Sequence, residues 1–318
     1  MNILVSDKMA DEAIQLLKDA GHMVTYDEMD HDTLLAEISN YDGLLVRSRT
    51  KVTEEIVAAG AEGRLKVIGR AGIGVDNIDI KKAGKFGIKV VNAPTGATIS
   101  VAELAIGHML SLSRFLTHAD KTMKNGEWIK KQLKGCELYG KTLGLIGCGN
   151  IGQKTAEYAQ AFGMTVIGYD PFLSADELKK HQITKKDDLS EIMKESDYIS
   201  LHIPHIDQTH HIINKDMIGL MKPTAFLINC ARGGTVDEDA LYNTLKNNKI
   251  AGAALDVFES EPPKDTPLTS LDNVSMTPHI GANTKEGQIR AGTVAAEQVL
   301  KVLDGHDPDY WVNKKFMK

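Results

Sequence analysis

The chain has 318 residues, 42% of them hydrophobic and 25% charged, with a formal net charge of −6. That is enough for about two domains with sizeable cores, and it argues against a disordered chain. No apolar run reaches the roughly 20 residues of a membrane span, and the acidic balance gives no basic field for nucleic acid. An anionic substrate would therefore need a local cluster of cations. The N-terminus lacks the basic region and cleavage site of a signal peptide. Three cysteines, Cys136, Cys148 and Cys230, form no disulfide framework and suit a reducing, cytoplasmic setting.

In chain order, β-rich runs at 2–6, 23–26, 43–47, 66–69 and 88–91 alternate with helical spacing at 10–20, 32–39, 53–60 and 80–86. Five strands alternating with four helices predict a parallel, flavodoxin-like sheet with right-handed crossovers. Ser100 and Glu103 read as a capping box opening a long helix. Val101, Leu104, Ala105, His108, Met109 and Leu112 share one face of it, as on a strut between domains. A second βα series runs from Lys141 to about residue 280, with strands expected at 143–147, 165–169, 198–202, 225–229 and 252–257. Asn283 then reads as the N-cap of a helix reaching Leu303, and the tail after Asp304 is too short for a domain. The expected fold is α/β: two doubly wound parallel-sheet domains, Rossmann-like and flavodoxin-like. The cofactor domain (98–283) would be inserted into a substrate domain made of 1–97 and 284–318.

Gly147-Cys148-Gly149-Asn150-Ile151-Gly152 fits GxGxxG. The pattern alone is weak, but here it follows a buried strand and opens an amphipathic helix, and the next strand ends at Asp170. Gly147 would make the tight turn, Gly149 would let backbone approach a pyrophosphate, and Gly152 would let helix pack on strand. The amides of Asn150 and Ile151 would lie at a helix N-terminus, where peptide dipoles favour an anion. Asp170 would accept from ribose hydroxyls and repel a 2′-phosphate, which favours NAD over NADP.

Three polar elements follow expected strands: Arg232 after Asn229, Asp256 and Glu261 in the next connection, and His279 after Pro278. All fall at the rim where open α/β sheets bind ligands. The residue types suit hydride chemistry on a 2-hydroxy acid. A histidine can take the hydroxyl proton near neutrality, a carboxylate can orient it, and a guanidinium can grip the substrate carboxylate with two parallel bonds.

The blocks GKTLGLIGCGNIG (140–152), INCARGGTVDEDAL (228–241), GAALDVFESEPP (252–263) and TPHIGANTKE (277–286) resemble the signatures of the D-isomer-specific 2-hydroxyacid dehydrogenases, and the likeness covers nearly the whole chain. The resemblance implies Arg232, Glu261 and His279 as the catalytic set. It implies Asp256 as a contact of the nicotinamide carboxamide, with Ile73, Ile203, Cys230, Ala231, Gly281 and Ala282 lining the cofactor site. It also implies a homodimer formed through the long helix and adjacent segments.

Within that family, VRSRTKV (46–52) and IGRAGIGVDN (68–77) resemble the branch acting on a phosphorylated three-carbon 2-hydroxy acid. Such a substrate needs cations at both ends. Arg47, Arg49, Lys51 and Arg70 fall at or just beyond strand ends, with Lys131 and Lys134 as helpers; of these Arg47 and Arg70, with Ser48, are expected at the substrate. The backbone of Ala71, Gly72, Ile73 and Gly74 would hold the carboxylate beside Arg232. Reductases of glyoxylate, hydroxypyruvate or other 2-oxo acids share every catalytic residue and stay open as alternatives, as does an NADH-binding, corepressor-like scaffold. The chain looks like a short form without an appended regulatory domain. Cys148 sits where the motif is usually apolar, and His205-Ile206-Asp207 departs from the family pattern. His202, His205, His210 and His211 lack metal-ligand spacing, and no metal is expected.

Overall fold

A computed structural model describes residues 1–317. The chain divides into two compact units, one made of Met1–Thr98 with the chain from Ala282 onward, the other of Ile99–Gly281. In the first unit, strands β1 (Asn2–Val5), β2 (Met23–Tyr26), β3 (Gly43–Val46), β4 (Val67–Arg70) and β5 (Lys89–Asn92) alternate with helices α1 (Asp11–Asp19), α2 (His31–Glu37), α3 (Glu54–Glu62) and α4 (Ile80–Lys85). The sheet is parallel in the order β2-β1-β3-β4-β5, the flavodoxin-like order. The central strands β1, β3 and β4 are almost continuously buried, as a sheet covered on both faces requires. One face packs Ile3, Val5 and Leu45 under Ala13, Leu17, Ala295 and Val299, and the other packs Leu4, Leu44 and Ile68 against Leu34, Ile56 and Ala83.

The tail is part of this unit. Trp311 bridges Val91 in antiparallel sense, and the Val312 amide donates to the Val90 carbonyl at 2.9 Å. Asn313, fully buried, fastens it. Its side-chain oxygen accepts from the Val90 amide (2.8 Å) and the Trp311 indole (3.0 Å), and its nitrogen donates to the Ile88 carbonyl (2.9 Å). Asn313→Ala strands those buried groups and costs about 2–3 kcal/mol of stability. A shift in urea midpoint measures it; an unchanged midpoint would mean the tail adds nothing to the sheet.

The second unit begins with helix α5 (Thr98–Arg114), followed by α6 (Leu116–Lys124), and continues through β6 (Thr142–Ile146), α7 (Asn150–Ala161), β7 (Thr165–Tyr169), α8 (Ala175–Lys179) and β8 (Thr184–Lys185). It is completed by α9 (Leu189–Glu195), β9 (Tyr198–Leu201), α10 (Lys215–Ile218), β10 (Phe226–Asn229), α11 (Glu238–Lys246), β11 (Gly252–Leu255) and β12 (Val274–Met276); α12 (Lys285–Leu303) belongs to the first unit. Its sheet is parallel throughout, in the order β12-β11-β10-β9-β6-β7-β8. Counted from β6, this is the Rossmann-type order with one strand added at the β12 edge.

Two helix starts differ from the sequence reading. Helix α5 opens at Thr98, so Ser100 lies inside it and is buried rather than capping. The turn that begins it is already set by the Thr98 amide bonding to the Thr95 carbonyl. The cap of α12 is Thr284, whose side chain accepts from the Gly287 amide, one residue beyond Asn283. Between α5 and α6 the backbone turns by 62° at Phe115, which takes a left-handed φ of 55°. Among the described residues no single helix is long and apolar enough to cross a membrane.

Candidate active site

Strand β6 lies between β7 and β9, so the connections around it leave in opposite directions and open a crevice at its carboxyl end. The glycine motif fills that point. Gly147 has a φ of +89°, and a Cβ there would meet the His202 carbonyl at 2.5 Å. Gly152 abuts the Gly147 carbonyl, so any side chain would push α7 off the strand. Gly149 is the reverse case: a Cβ would project into open space. It is also the N-cap of α7 and offers no capping side chain. The amides of Asn150 and Ile151 have no acceptor among the described residues. Two free amides at a helix N-terminus, under an open approach, fit the pyrophosphate of a dinucleotide.

Asp170 stands at the end of β7, mostly buried. One carboxylate oxygen accepts from the Cys148 amide at 2.9 Å, and the other from the amides of Phe172 (2.9 Å) and Leu173 (3.3 Å). The same carboxylate that would meet the ribose thus also holds the glycine loop in place. Cys148 is fully buried, and burial pushes its thiol up to about 12, so it stays a neutral thiol that does not ionise near neutrality. Cys230 is buried too, with its thiol pushed up for the same reason. Ile203, after β9, packs its side chain close to Gly147.

Adjacent strands β10, β11 and β12 bring the other candidates to one rim. After β10, Asn229 organises the turn: its side-chain oxygen accepts from the Ala231 amide, and its nitrogen donates to the Arg232 carbonyl at 3.0 Å. Arg232, half-buried, donates from Nη1 to the Ala231 carbonyl at 2.7 Å. After β11, Glu261 accepts from the Phe258 amide (3.2 Å) with one oxygen and contacts His279 Nδ1 (2.7 Å) with the other. Both side chains remain part-exposed, 50% for His279 and 38% for Glu261, so the pair can be reached by a ligand.

Asp256 carries a structural task beside the role the resemblance implies. It is 1% exposed, and its oxygens already accept from the amides of Ile280 and Gly281, both at 2.8 Å, and from the Thr277 hydroxyl at 2.5 Å. It holds the turn that carries His279, a task with no local sign in the sequence because its partners lie more than 20 positions away. Ala282 is exposed and opens the return to the first unit.

In the first unit, Asp7 is the residue that sequence reasoning missed. Buried at the end of β1, it accepts from the Arg47 and Thr50 amides and the Thr50 hydroxyl, and it pairs with Arg49 Nε at 3.1 Å. Arg49 also donates to the Ser6 and Met29 carbonyls, so its charge is spent on the loop and it is not a spare cation. Arg47 reaches the Lys8 carbonyl at 3.2 Å, and Ser48 and Lys51 are exposed. Lys131 and Lys134 are exposed in the second unit.

The loop after β4 corrects another expectation. The Ala71 amide donates to the Val46 carbonyl and the Gly72 amide to the Arg70 carbonyl, so neither is available to a carboxylate. Gly72 takes a φ of +156° and packs on the Arg70 guanidinium. The amides of Ile73 and Gly74 have no acceptor among the described residues, and Asn92 steadies the loop by donating to the Ile73 carbonyl.

Of the histidines around 202–211, His205, His210 and His211 contact one another in series. His202 donates or accepts at Ser200 (3.0 Å), and burial lowers its pKa to about 4. His205 and His210 share a contact of 3.0 Å, and His211 pairs with Glu259 at 2.9 Å. Among the described residues no group of three or more His, Cys, Asp or Glu is placed to hold a metal.

The family model for the NAD-binding domain of D-isomer specific 2-hydroxyacid dehydrogenases matches residues 106–281. A D-3-phosphoglycerate dehydrogenase of Methanocaldococcus jannaschii is 50% identical over 98% of this chain and 59% of its own length. A hydroxypyruvate reductase of Thermotoga maritima is also 50% identical, over 94% of this chain and 97% of its own. The chain thus spans little more than half the length of the phosphoglycerate dehydrogenases it matches. Among solved structures, D-lactate dehydrogenase of Aquifex aeolicus, complexed with NAD and lactic acid, superimposes with a TM-score of 0.83 at 33% identity, over 96% of both chains.

Proposed function

The chain belongs to the D-isomer specific 2-hydroxyacid dehydrogenase family, and from that premise we propose that it oxidises D-3-phosphoglycerate to 3-phosphohydroxypyruvate with NAD, the entry step of serine synthesis. The observation that carries the chemistry is the 2.7 Å contact between His279 and Glu261, on the same rim as Arg232. NAD, when bound, supplies the hydride acceptor. Glu261, tethered to the Phe258 amide, holds the imidazole through Nδ1 and leaves Nε2 to take the hydroxyl proton. Arg232 grips the carboxylate next to the reacting carbon and stabilises the oxygen as it becomes a carbonyl. Free amides at Asn150 and Ile151 take the pyrophosphate, and Asp170 takes the ribose.

The phosphorylated substrate is favoured by the repeated naming of relatives as D-3-phosphoglycerate dehydrogenases at 41–50% identity. Arg47 and Arg70 are the cations we assign to its anionic groups, with the amides of Ile73 and Gly74 in support. A homodimer would use the segment after α5, where Leu116, Met123, Trp128 and Tyr139 are exposed. A second reading, reduction of hydroxypyruvate, rests on the Thermotoga relative of equal identity.

NADH oxidation measured in parallel with 3-phosphohydroxypyruvate and hydroxypyruvate separates the two. A preference in kcat/KM of about 100-fold, or about 2.7 kcal/mol, for the phosphorylated acid is expected. Equal values would move the protein to hydroxypyruvate reduction, and no oxidation of NADH with either would leave a binding protein.

A further inference from the structure

We propose that His108 is a positioning residue for this reaction: from the buried face of α5 it orients the Thr277 hydroxyl onto Asp256, and Asp256 fixes the turn that presents His279. The inference rests on the reading of His279 as the group that takes the proton.

The turn needs holding. His279 has a φ of +52°, a left-handed conformation that is unfavourable for a residue other than glycine. It persists because its neighbours are pinned. The next two amides, of Ile280 and Gly281, both donate to Asp256, and the His279 amide closes on the Thr277 carbonyl at 3.0 Å. Asp256 is therefore the anchor, and its third donor is the Thr277 hydroxyl at 2.5 Å.

The direction of each bond follows from what each group can do. An ionised carboxylate only accepts, so the single hydroxyl proton of Thr277 is committed to Asp256. Thr277 Oγ1 can then only accept from His108 Nε2, 3.2 Å away. That places a proton on Nε2 and leaves Nδ1 to accept from the Ser275 hydroxyl at 3.4 Å. His108 is 3% exposed, and burial lowers its pKa below the ordinary histidine range although the Asp256 charge pulls the other way. A neutral imidazole with one N–H satisfies every atom in the chain from α5 to the turn. Remove that N–H and the hydroxyl loses the contact that aims it. Asp256 then shares a loosened third donor, and the left-handed turn is less well determined.

The test uses the full chain with His108→Leu, His108→Gln and Thr277→Val. Glutamine places an amide nitrogen near the position of Nε2; leucine fills the space with no donor; valine removes the hydroxyl in case leucine disturbs folding. Hydrogen exchange of the peptide covering 277–282 reads the turn without any reaction. NADH affinity by fluorescence and kcat for NADH oxidation by 3-phosphohydroxypyruvate or hydroxypyruvate read its consequence. In the leucine and valine variants, exchange at Ile280 and Gly281 should quicken by about tenfold and kcat fall by about tenfold, with the NADH Kd moved less than about threefold. Glutamine should restore both. Unchanged exchange in the leucine and valine variants would overturn the proposal, as would glutamine being as impaired as leucine, which would indicate packing alone. Loss of kcat matched by loss of NADH affinity would overturn it too. Turnover retained by His279→Ala would instead sink the reading of His279 while leaving the exchange result to judge the link to His108.

Discussion

His279→Ala should lower kcat by about 10²–10⁴-fold, the usual contribution of a positioned general base, while NADH binds almost as before. The two effects should separate because His279 follows β12, at one edge of the sheet, whereas the residues proposed to meet the pyrophosphate and ribose follow β6 and β7. The imidazole has one nitrogen engaged, Nδ1 to Glu261 at 2.7 Å. Its other nitrogen is the only one left to move a proton. Glu261→Gln keeps an oxygen that can accept from Nδ1 but loses the charge that favours the imidazolium formed during turnover. Its fall in kcat should therefore be real and smaller than that of His279→Ala. Rapid-mixing measurements with saturating NADH, beside fluorescence titration of NADH, decide the matter. A kcat for His279→Ala within about threefold of the parent would remove it from the chemistry.

What was legible in the sequence was what is local. Buried strands such as Leu143-Gly144-Leu145-Ile146 and the glycine turn that follows carry their own pattern, because an apolar run ending in closely spaced glycines shows in the sequence even though Gly147 is constrained by the distant His202 carbonyl. The flavodoxin-like first unit was readable for the same reason: its periods of two and 3.6 alternate without a break. Strand β8 (two residues) and β12 (three residues) were not visible. They are too short to show alternation, and β12 exists because β11 offers it a parallel edge. Asp7 and His108 were invisible as site residues for a related reason. Asp7 serves a loop some 40 residues away, and His108 meets Thr277 across 169 positions. Only tertiary packing makes such pairs, and on the sequence His108 was simply one more member of a buried helix face.

Arg232, proposed above to grip the substrate carboxylate, sits in a closely constrained loop. Its main chain is fixed by Asn229 and Thr235, whose side chains bond its carbonyl at 3.0 and 2.7 Å. Gly233 then packs directly on the Phe258 carbonyl, so the Arg232 loop and the Glu261 loop touch through a position that admits no side chain. The side chain is held in addition by the bond from Nη1 to the Ala231 carbonyl at 2.7 Å. In the proposed role it would offer two parallel N–H bonds to a carboxylate, which lysine cannot. Arg232→Lys keeps the charge and loses the fork, and kcat/KM should fall by about 10²–10³-fold, or about 3–4 kcal/mol. Arg232→Ala should fall further, and added guanidinium ion should recover part of its rate by entering the vacated space. NADH affinity should stay close to the parent in both variants. If Arg232→Lys matched the parent, a point charge would be sufficient and the two-pronged grip would be wrong. If lysine and alanine were equally impaired while guanidinium rescued the alanine variant, the planar fork itself would be the group the reaction requires.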